Sequence, residues 1–278
     1  MLGGTYALLG IGLTLIFGIM RVVNFTHGEL YAFGAYMMYM LVMLTGANFF
    51  IALVLAVALG VALGAALEFV LLRKLRGADI DTTMLVMIGA WIALQNAEQF
   101  AWTGVAQSID SPFPAAPLVI GPVSVSWGRV FVFCVALALI AATYALINHT
   151  RLGKAMRATF QDRETAALMG VQIGTVHTAT FAVGSGLAAT AGALLGPVYV
   201  AYPTMGDLAA LKAFAIVILG GRGNYVGALI GGLMLAVLEN LVSLMVPNGT
   251  AMVELAAYGL MIFVLLIRPG GLMGVKES

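Results

Sequence analysis

The sequence predicts an all-α protein, a polytopic transmembrane helix bundle of about nine spans within a range of eight to ten. Three observations carry that reading. Hydrophobic residues make up 62% of the 278 positions and charged residues only 9%, against roughly 45–50% and 25% in soluble proteins. Mean hydropathy is +1.05, and no water-soluble core of this size could hide so much apolar surface. The Lys and Arg residues, finally, gather in alternate connections between the apolar segments. A formal net charge of +1 leaves no field able to hold a nucleic-acid backbone, which excludes that partner. The single Cys134 can form no internal disulfide.

A helix crossing about 30 Å of hydrocarbon needs roughly 20 mostly apolar residues. In chain order the candidate spans are Leu2–Met20, Gly28–Leu44, Phe49–Leu72, Thr83–Trp102, Arg129–Asn148, Thr175–Pro197, Asp207–Gly221, Tyr225–Val246 and Ala251–Ile267. The first has no basic residues before it and no small-residue cleavage site after it, so it reads as a span and not as a signal peptide. The seventh is short and contains Lys212, which suits a broken or re-entrant helix as well as a full crossing.

Positive residues are retained on the cytoplasmic side. With nine spans, Arg21, the Arg73, Lys74 and Arg76 group, the Arg151, Lys154, Arg157 and Arg163 group, Arg222, Arg268 and Lys276 all fall on one face. The opposite connections, around 45–48, 103–128, 198–206 and 247–250, carry no Lys or Arg, with Arg129 the one exception at the edge of the fifth span. The expectation is an N-terminus outside and a C-terminus in the cytoplasm. The whole chain, 1–278, reads as one transmembrane domain. Residues 103–128, with Pro112, Pro114, Pro117 and Pro122 and alternation at Val123–Ser126, form an outer loop that is extended or a short hairpin. Residues 149–174 form the longest inner polar segment.

Gly60/Gly64, Gly192/Gly196 and Gly227/Gly231 repeat at the four-residue spacing that lets helix backbones approach in lipid. They predict packing seams and no particular chemistry.

Chemistry is sought first by exclusion. Gly220–Asn224 is glycine-rich but lacks the Lys-Ser/Thr that would meet a nucleotide phosphate, and His27, His149 and His177 are too scattered for a metal site. No ATP hydrolysis, catalytic residue, metal or cofactor is expected of this chain. Polar groups inside spans are more informative, since a charge at mid-bilayer costs about 3 kcal/mol on the insertion scale. Gln95, Glu98 and Gln99 share a helix face by their i, i+3, i+4 spacing. Glu239 and Asn240 fall in the outer half of the eighth span. Asn24, Thr26, His27 and Glu29 crowd the inner border between the first two spans. Each group could be a satisfied interhelical hydrogen bond, a polar turn, or the lining of a path for a polar solute. Glu68, five residues before Arg73, suits an interfacial ion pair.

In the inner segment Arg151, Lys154 and Arg157 make a basic strip, Asp162 is placed to cap a short helix, and Gly170 to stop it. Leu168 and Met169 stand at the apolar end of that helix in an otherwise polar loop, where charge does not explain them.

The run Gly18–Glu29 followed by Gly34-Ala35-Tyr36 resembles the N-terminal signature of permease subunits of branched-chain amino acid ATP-binding-cassette transporters. Arg151–Ala158 with Ala167–Gly170, Lys212–Phe214 with Leu219–Gly221, and Arg268–Gly274 resemble further stretches of that family in the same order. Together they cover nearly the whole chain. The resemblance implies an importer-type permease in a bacterial inner membrane, closer to the H-type than the M-type member of the usual pair. Its partners would be a second homologous permease, two cytoplasmic ATPases and a periplasmic binding protein. On the functional reading of the polar groups within spans, Asn24, Thr26, His27, Glu29, Gln95, Glu98, Glu239 and Asn240 border a translocation path. The ATPase coupling segment would use Arg151, Gly153, Lys154, Arg157, Asp162, Leu168, Met169 and Gly170. Family members carry additional residues before the position of Gly4, a point at which this chain departs from the pattern. Permeases for urea and short amides look similar. An ion-coupled secondary carrier, with Glu98 and Glu239 exchanging protons or sodium, is the competing class.

Overall fold

The computed structural model describes every residue except Ala115, Gly121, Pro122, Arg222, 246–248, Pro269 and 275–278. Arg222, Lys276, Pro122 and Pro269, which entered the sequence reading, therefore lie outside the described residues.

Eleven helices occur among the described residues: α1 (Leu2–Met20), α2 (His27–Tyr39, continued by a π turn at Met40–Leu44), α3 (Phe49–Val70), α4 (Ile80–Trp102), α5 (Trp127–His149), α6 (Arg151–Gln161), α7 (Arg163–Leu168), α8 (Ile173–Leu195), α9 (Met205–Gly220), α10 (Tyr225–Met245) and α11 (Gly249–Ile267). Each of the nine sequence-derived spans has its helix, and α6 and α7 occupy the inner segment. Five helices, α1, α3, α5, α8 and α10, are long and apolar enough to cross a membrane by themselves. Among the described residues α11 offers a shorter apolar stretch, Met252–Ile267, and α2, α4 and α9 fall short for physical reasons. Polar Gln95, Asn96, Glu98 and Gln99 lower the hydropathy of α4, while α2 and α9 begin inside the bundle.

Helices α1 and α8 form the centre, buried along most of their length. They cross where Gly12 meets Gly184, so closely that a methyl on either glycine would lie 2.7 Å from the other's carbonyl oxygen. Every predicted glycine pair is a seam: Gly60 faces Ala189, Gly64 faces Ser185, Gly192 meets the Tyr31 backbone, and Gly227 meets Gly220. Outward faces of α3, α4, α10 and α11 expose Val54, Phe100, Leu244 and Leu266, as surfaces in contact with lipid should.

The bundle has an internal repeat of opposite direction. Helix α3 packs along α8 as α10 packs along α1, and α2 lies on α8 as α9 lies on α1. Helices α2 and α9 start back to back in the interior, where a Cβ on Gly206 would stand 2.9 Å from the Gly28 carbonyl. From that point α2 runs toward Phe49 and Ile109, while α9 runs toward Gly227 and the 270–274 segment at the other end.

That geometry corrects the placement of Asn24–Glu29, expected at the border of the bundle. Helix α1 ends on Arg21 at φ +55°, a left-handed conformation rare for a side chain of this size. The chain then turns back inward, burying Asn24 and Thr26 completely. His27 reaches the Leu9 carbonyl, about 16 Å up the helix from Met20 at 1.5 Å per residue.

At one end the basic connections gather. One groove there is bordered by Arg21, Leu75–Ala78 and Gln161–Glu164, another by Asn148, Arg157, Phe160, Gly223 and Met273. All four stretches that carry the family resemblance reach this end, where Leu272 and Met273 bond through their amides to the carbonyls of Leu219 and Gly220 at 2.8 and 3.2 Å. At the opposite end a two-stranded hairpin, β1 (Leu118–Ile120) and β2 (Val123–Val125), pairs antiparallel with Leu118 opposite Val125, and Gln107 bridges to Ala201. The hairpin alternative for the proline-rich loop is the one adopted.

Candidate functional site

The polar centre is assembled where the two inward helix ends meet α4. Glu29 is the third residue of α2 and Asp207 the third of α9, so both carboxylates face the positive end of a helix dipole. The Trp91 indole N–H of α4 donates to both, at 3.1 Å to Glu29 and 3.2 Å to Asp207, and the Gln95 amide donates to Asp207 at 2.9 Å. Glu98, one turn further along α4, lies against Glu29 and is 3% exposed, with neither oxygen meeting an N–H or O–H donor. Asn24 braces the turn into α2, its side-chain oxygen accepting from the Thr26 amide at 3.1 Å and the Thr26 hydroxyl at 2.6 Å. His27 donates through Nε2 to the Leu9 carbonyl at 3.0 Å, which fixes its tautomer and leaves Nδ1 bare.

Asn24, Thr26, His27 and Glu29 are thus joined with Gln95 and Glu98 in one interior region. Gln99 is turned outward and exposed. Glu239 and Asn240 are elsewhere: Glu239 accepts from the Tyr6 hydroxyl at 2.7 Å and forms an ion pair with Lys212 at 3.0 Å, while Asn240 donates to the Ala236 carbonyl of its own helix. Lys212, which weakened the case for the seventh span, is held between Glu239 and Tyr6 and so tolerates burial. Glu68 forms the expected ion pair, but with Arg76, and also accepts from the Thr178 hydroxyl. Arg73 instead lies over the Phe69 ring at 5.0 Å. The correction has a steric cause, because the 3-10 turn at Leu72–Leu75 brings Arg76 back toward α8 and leaves Arg73 outside.

The inner segment is a fastened stem with a free tip. Thr150 caps α6, accepting from the Gly153 amide at 3.0 Å, and any Cβ on Gly153 would strike the Leu146 and Ile147 carbonyls. Arg157 donates to the Ile147 carbonyl and to Asn148, so it anchors α6 to the end of α5 and does not extend the free basic strip. Arg151 and Lys154 are exposed. Met156 packs with Ile19 and Val176. Asp162 caps α7, accepting from the amides of Glu164 and Thr165 and from the Thr165 hydroxyl. The hydroxyl bond above all holds its carboxyl below the usual carboxylate range. Gly170 closes the helix at φ +86°, and Leu168 and Met169 project with 87% and 81% exposure.

Sequence reasoning missed Asp207, Trp91 and Tyr36. A signal for Asp207 was present: Thr204-Met205-Gly206-Asp207-Leu208 repeats Thr26-His27-Gly28-Glu29-Leu30 in residue type. Trp91 and Tyr36 look like ordinary lipid-facing or core aromatics in sequence.

The chain matches the family described as branched-chain amino acid transport system / permease component over residues 1–265. It is 34% identical to the high-affinity branched-chain amino acid transport permease BraD of Pseudomonas aeruginosa, covering 99% of this chain and 93% of that one. It is 33% identical to the corresponding permease LivH of Escherichia coli, over the same shares. Among solved structures PsaBC of Streptococcus pneumoniae shares the fold, with a TM-score of 0.53 at 14% identity over 96% of this chain and 91% of that one. Near-complete coverage joined to a helical bundle of matching architecture leads to one conclusion: this chain belongs to the family of permease components of branched-chain amino acid transport systems.

Proposed function

We infer that this chain is the H-type permease of an ATP-binding-cassette importer for branched-chain amino acids, and acts with a second homologous permease, two cytoplasmic ATPases and a periplasmic binding protein. The observation that carries this reading is the combination of a rigidly fastened α6 with an α7 that holds Leu168 and Met169 out in water. Apolar side chains so exposed fit burial in a partner's groove, and 149–174 acts as the coupling segment. The transmembrane domain, 1–278, translocates, and ATP is hydrolysed by the partners. Asn24, Thr26, His27, Glu29, Gln95 and Glu98 border the path. Glu239 supports it from a distance by tying α1, α9 and α10 together. A permease fed by a binding protein needs only weak contacts of its own, since a deep well would slow release. In vesicles carrying the full assembly, leucine uptake should require ATP and loaded binding protein and persist at constant ATP when a proton uncoupler is added. Uptake abolished by the uncoupler would transfer the protein to the ion-coupled class.

The orientation that goes with this function has residues 103–128 outside and 73–81 and 151–174 in the cytoplasm, with the N-terminus outside and the C-terminus inside, on the asymmetry of Lys and Arg. In a Cys134→Ser background, a cysteine at Ser108 should react with an impermeant thiol reagent in sealed cells. One at Gln161 should react only after permeabilisation. Labelling of Gln161 in intact cells would reverse the orientation.

A further inference from the structure

We propose that Glu98, with Glu29 beside it, Asp207 beyond Glu29 and the Tyr36 hydroxyl near by, forms an interior subsite for the ammonium group of the passing solute. The proposal rests on the translocation reading above and deepens it. Glu29 and Asp207 have partners, namely the helix ends of α2 and α9 and the Trp91 and Gln95 donors. Glu98 has none of these. It stands four residues from the end of α4, where the helix dipole is negative and opposes a carboxylate, and both its oxygens are buried without a donor. An acidic group placed so in an apolar bundle has to be neutralised, either by a proton shared with Glu29 or by a cation that takes that proton's place.

A second observation comes from another helix. Tyr36 of α2 is fully buried and stacked on Trp102 at 4.9 Å. Its hydroxyl has no hydrogen-bond partner, although Glu98 and Glu29 both lie within electrostatic range. Lys212 and Arg76 are committed to Glu239 and Glu68 and cannot neutralise the cluster. Among the described residues no three His, Cys, Asp or Glu side chains gather closely enough to hold a metal ion. Glu29 shares the Trp91 N–H with Asp207 and lies against Glu98, and the charge is thereby spread along a line. That spread suits a primary ammonium, whose three N–H groups point in different directions. It would favour an amino acid over a neutral urea or amide.

The test uses the whole assembly in proteoliposomes and a hydrophobic carbodiimide, with modification of Glu98 read by peptide mass spectrometry. Millimolar leucine, and isoamylamine, which keeps the ammonium and lacks the carboxylate, should each slow modification about threefold or more. Isocaproate, which lacks the ammonium, and sodium should not. Protection by neither amine, equal protection by isocaproate, or protection by sodium alone would overturn the subsite. Because this readout needs no ATP, it stands apart from the uptake assay, in which failure of the importer reading would appear. Glu98→Gln should lower leucine transported per ATP hydrolysed about tenfold while hydrolysis stays within twofold of wild type; an unchanged ratio would refute the assignment. Should Glu98→Gln not assemble, Tyr36→Phe keeps the stack on Trp102 and should weaken protection by both amines about threefold. Undiminished protection there would remove Tyr36 from the site and, with it, the independent support for the proposal.

Discussion

Aspartate at Leu168 or Met169 should leave this permease inserted in the membrane and able to receive loaded binding protein, yet weaken its hold on the ATPases by roughly ten- to a hundredfold. Burial of a side chain of this size contributes up to about 1.5–3 kcal/mol, and each 1.4 kcal/mol is a factor of ten in affinity. The tip can be changed without disturbing what carries it. Both side chains are almost fully exposed, whereas the stem is secured by Gly153, Arg157 and the Asp162 cap. Copurification of the ATPases, ATP hydrolysis with and without loaded binding protein, and uptake should be measured together. Retained insertion with lost coupling is the expected pattern, and wild-type values in both variants would refute the docking role of α7.

A large effect on the fold itself should come from valine at Gly12 or Gly184. At their crossing the first added carbon already lies 2.7 Å from a carbonyl oxygen of the other helix, so backbone and not a flexible side chain must give way. Overpacking of this kind costs about 1–3 kcal/mol or more, and the two helices concerned are the ones that α2, α3, α5, α9 and α10 pack against. A loss of about 3 kcal/mol corresponds to roughly 6–12 °C in Tm by the scaling for domains of 150–250 residues. The yield of monodisperse protein in detergent should fall with it. Gly89→Val is the control, since nothing lies within 4 Å of a Cβ at that position. A Gly12 variant as stable as the Gly89 variant would mean that the α1–α8 crossing can open freely.

Period and composition made the helices legible in advance. Lipid imposes a length and an apolar character on each span, and the positions of Leu2–Met20, Phe49–Val70 and Ile173–Leu195 followed from that constraint. The glycine seams were legible for the same reason, because close approach of helices in lipid selects small residues at four-residue spacing. Local chemistry was legible in 151–170, where an Asp cap and a Gly stop act over three or four residues and need no distant partner.

What lies beyond the reach of pattern is any contact between residues far apart in the chain. Glu239 and Glu98 look alike in sequence, as single carboxylates inside apolar helices, yet Lys212 and Tyr6 neutralise one, while the other meets no N–H or O–H donor and lies against Glu29. Glu68 could have met Arg73 or Arg76, and a short 3-10 turn made the choice. Asn24–Glu29 looked like a border turn because four polar residues within six after a span commonly return to water. Only the left-handed Arg21, and the fit of Gly28 against Gly206, direct the segment back into the bundle. By itself the sequence determined the helices, the family and the chemistry available to the chain, because each of these depends on composition and near neighbours. Tertiary structure alone decided which of the described buried carboxylates meet a cation, because neutralisation depends on distance in space and residues more than 200 positions apart supply partners.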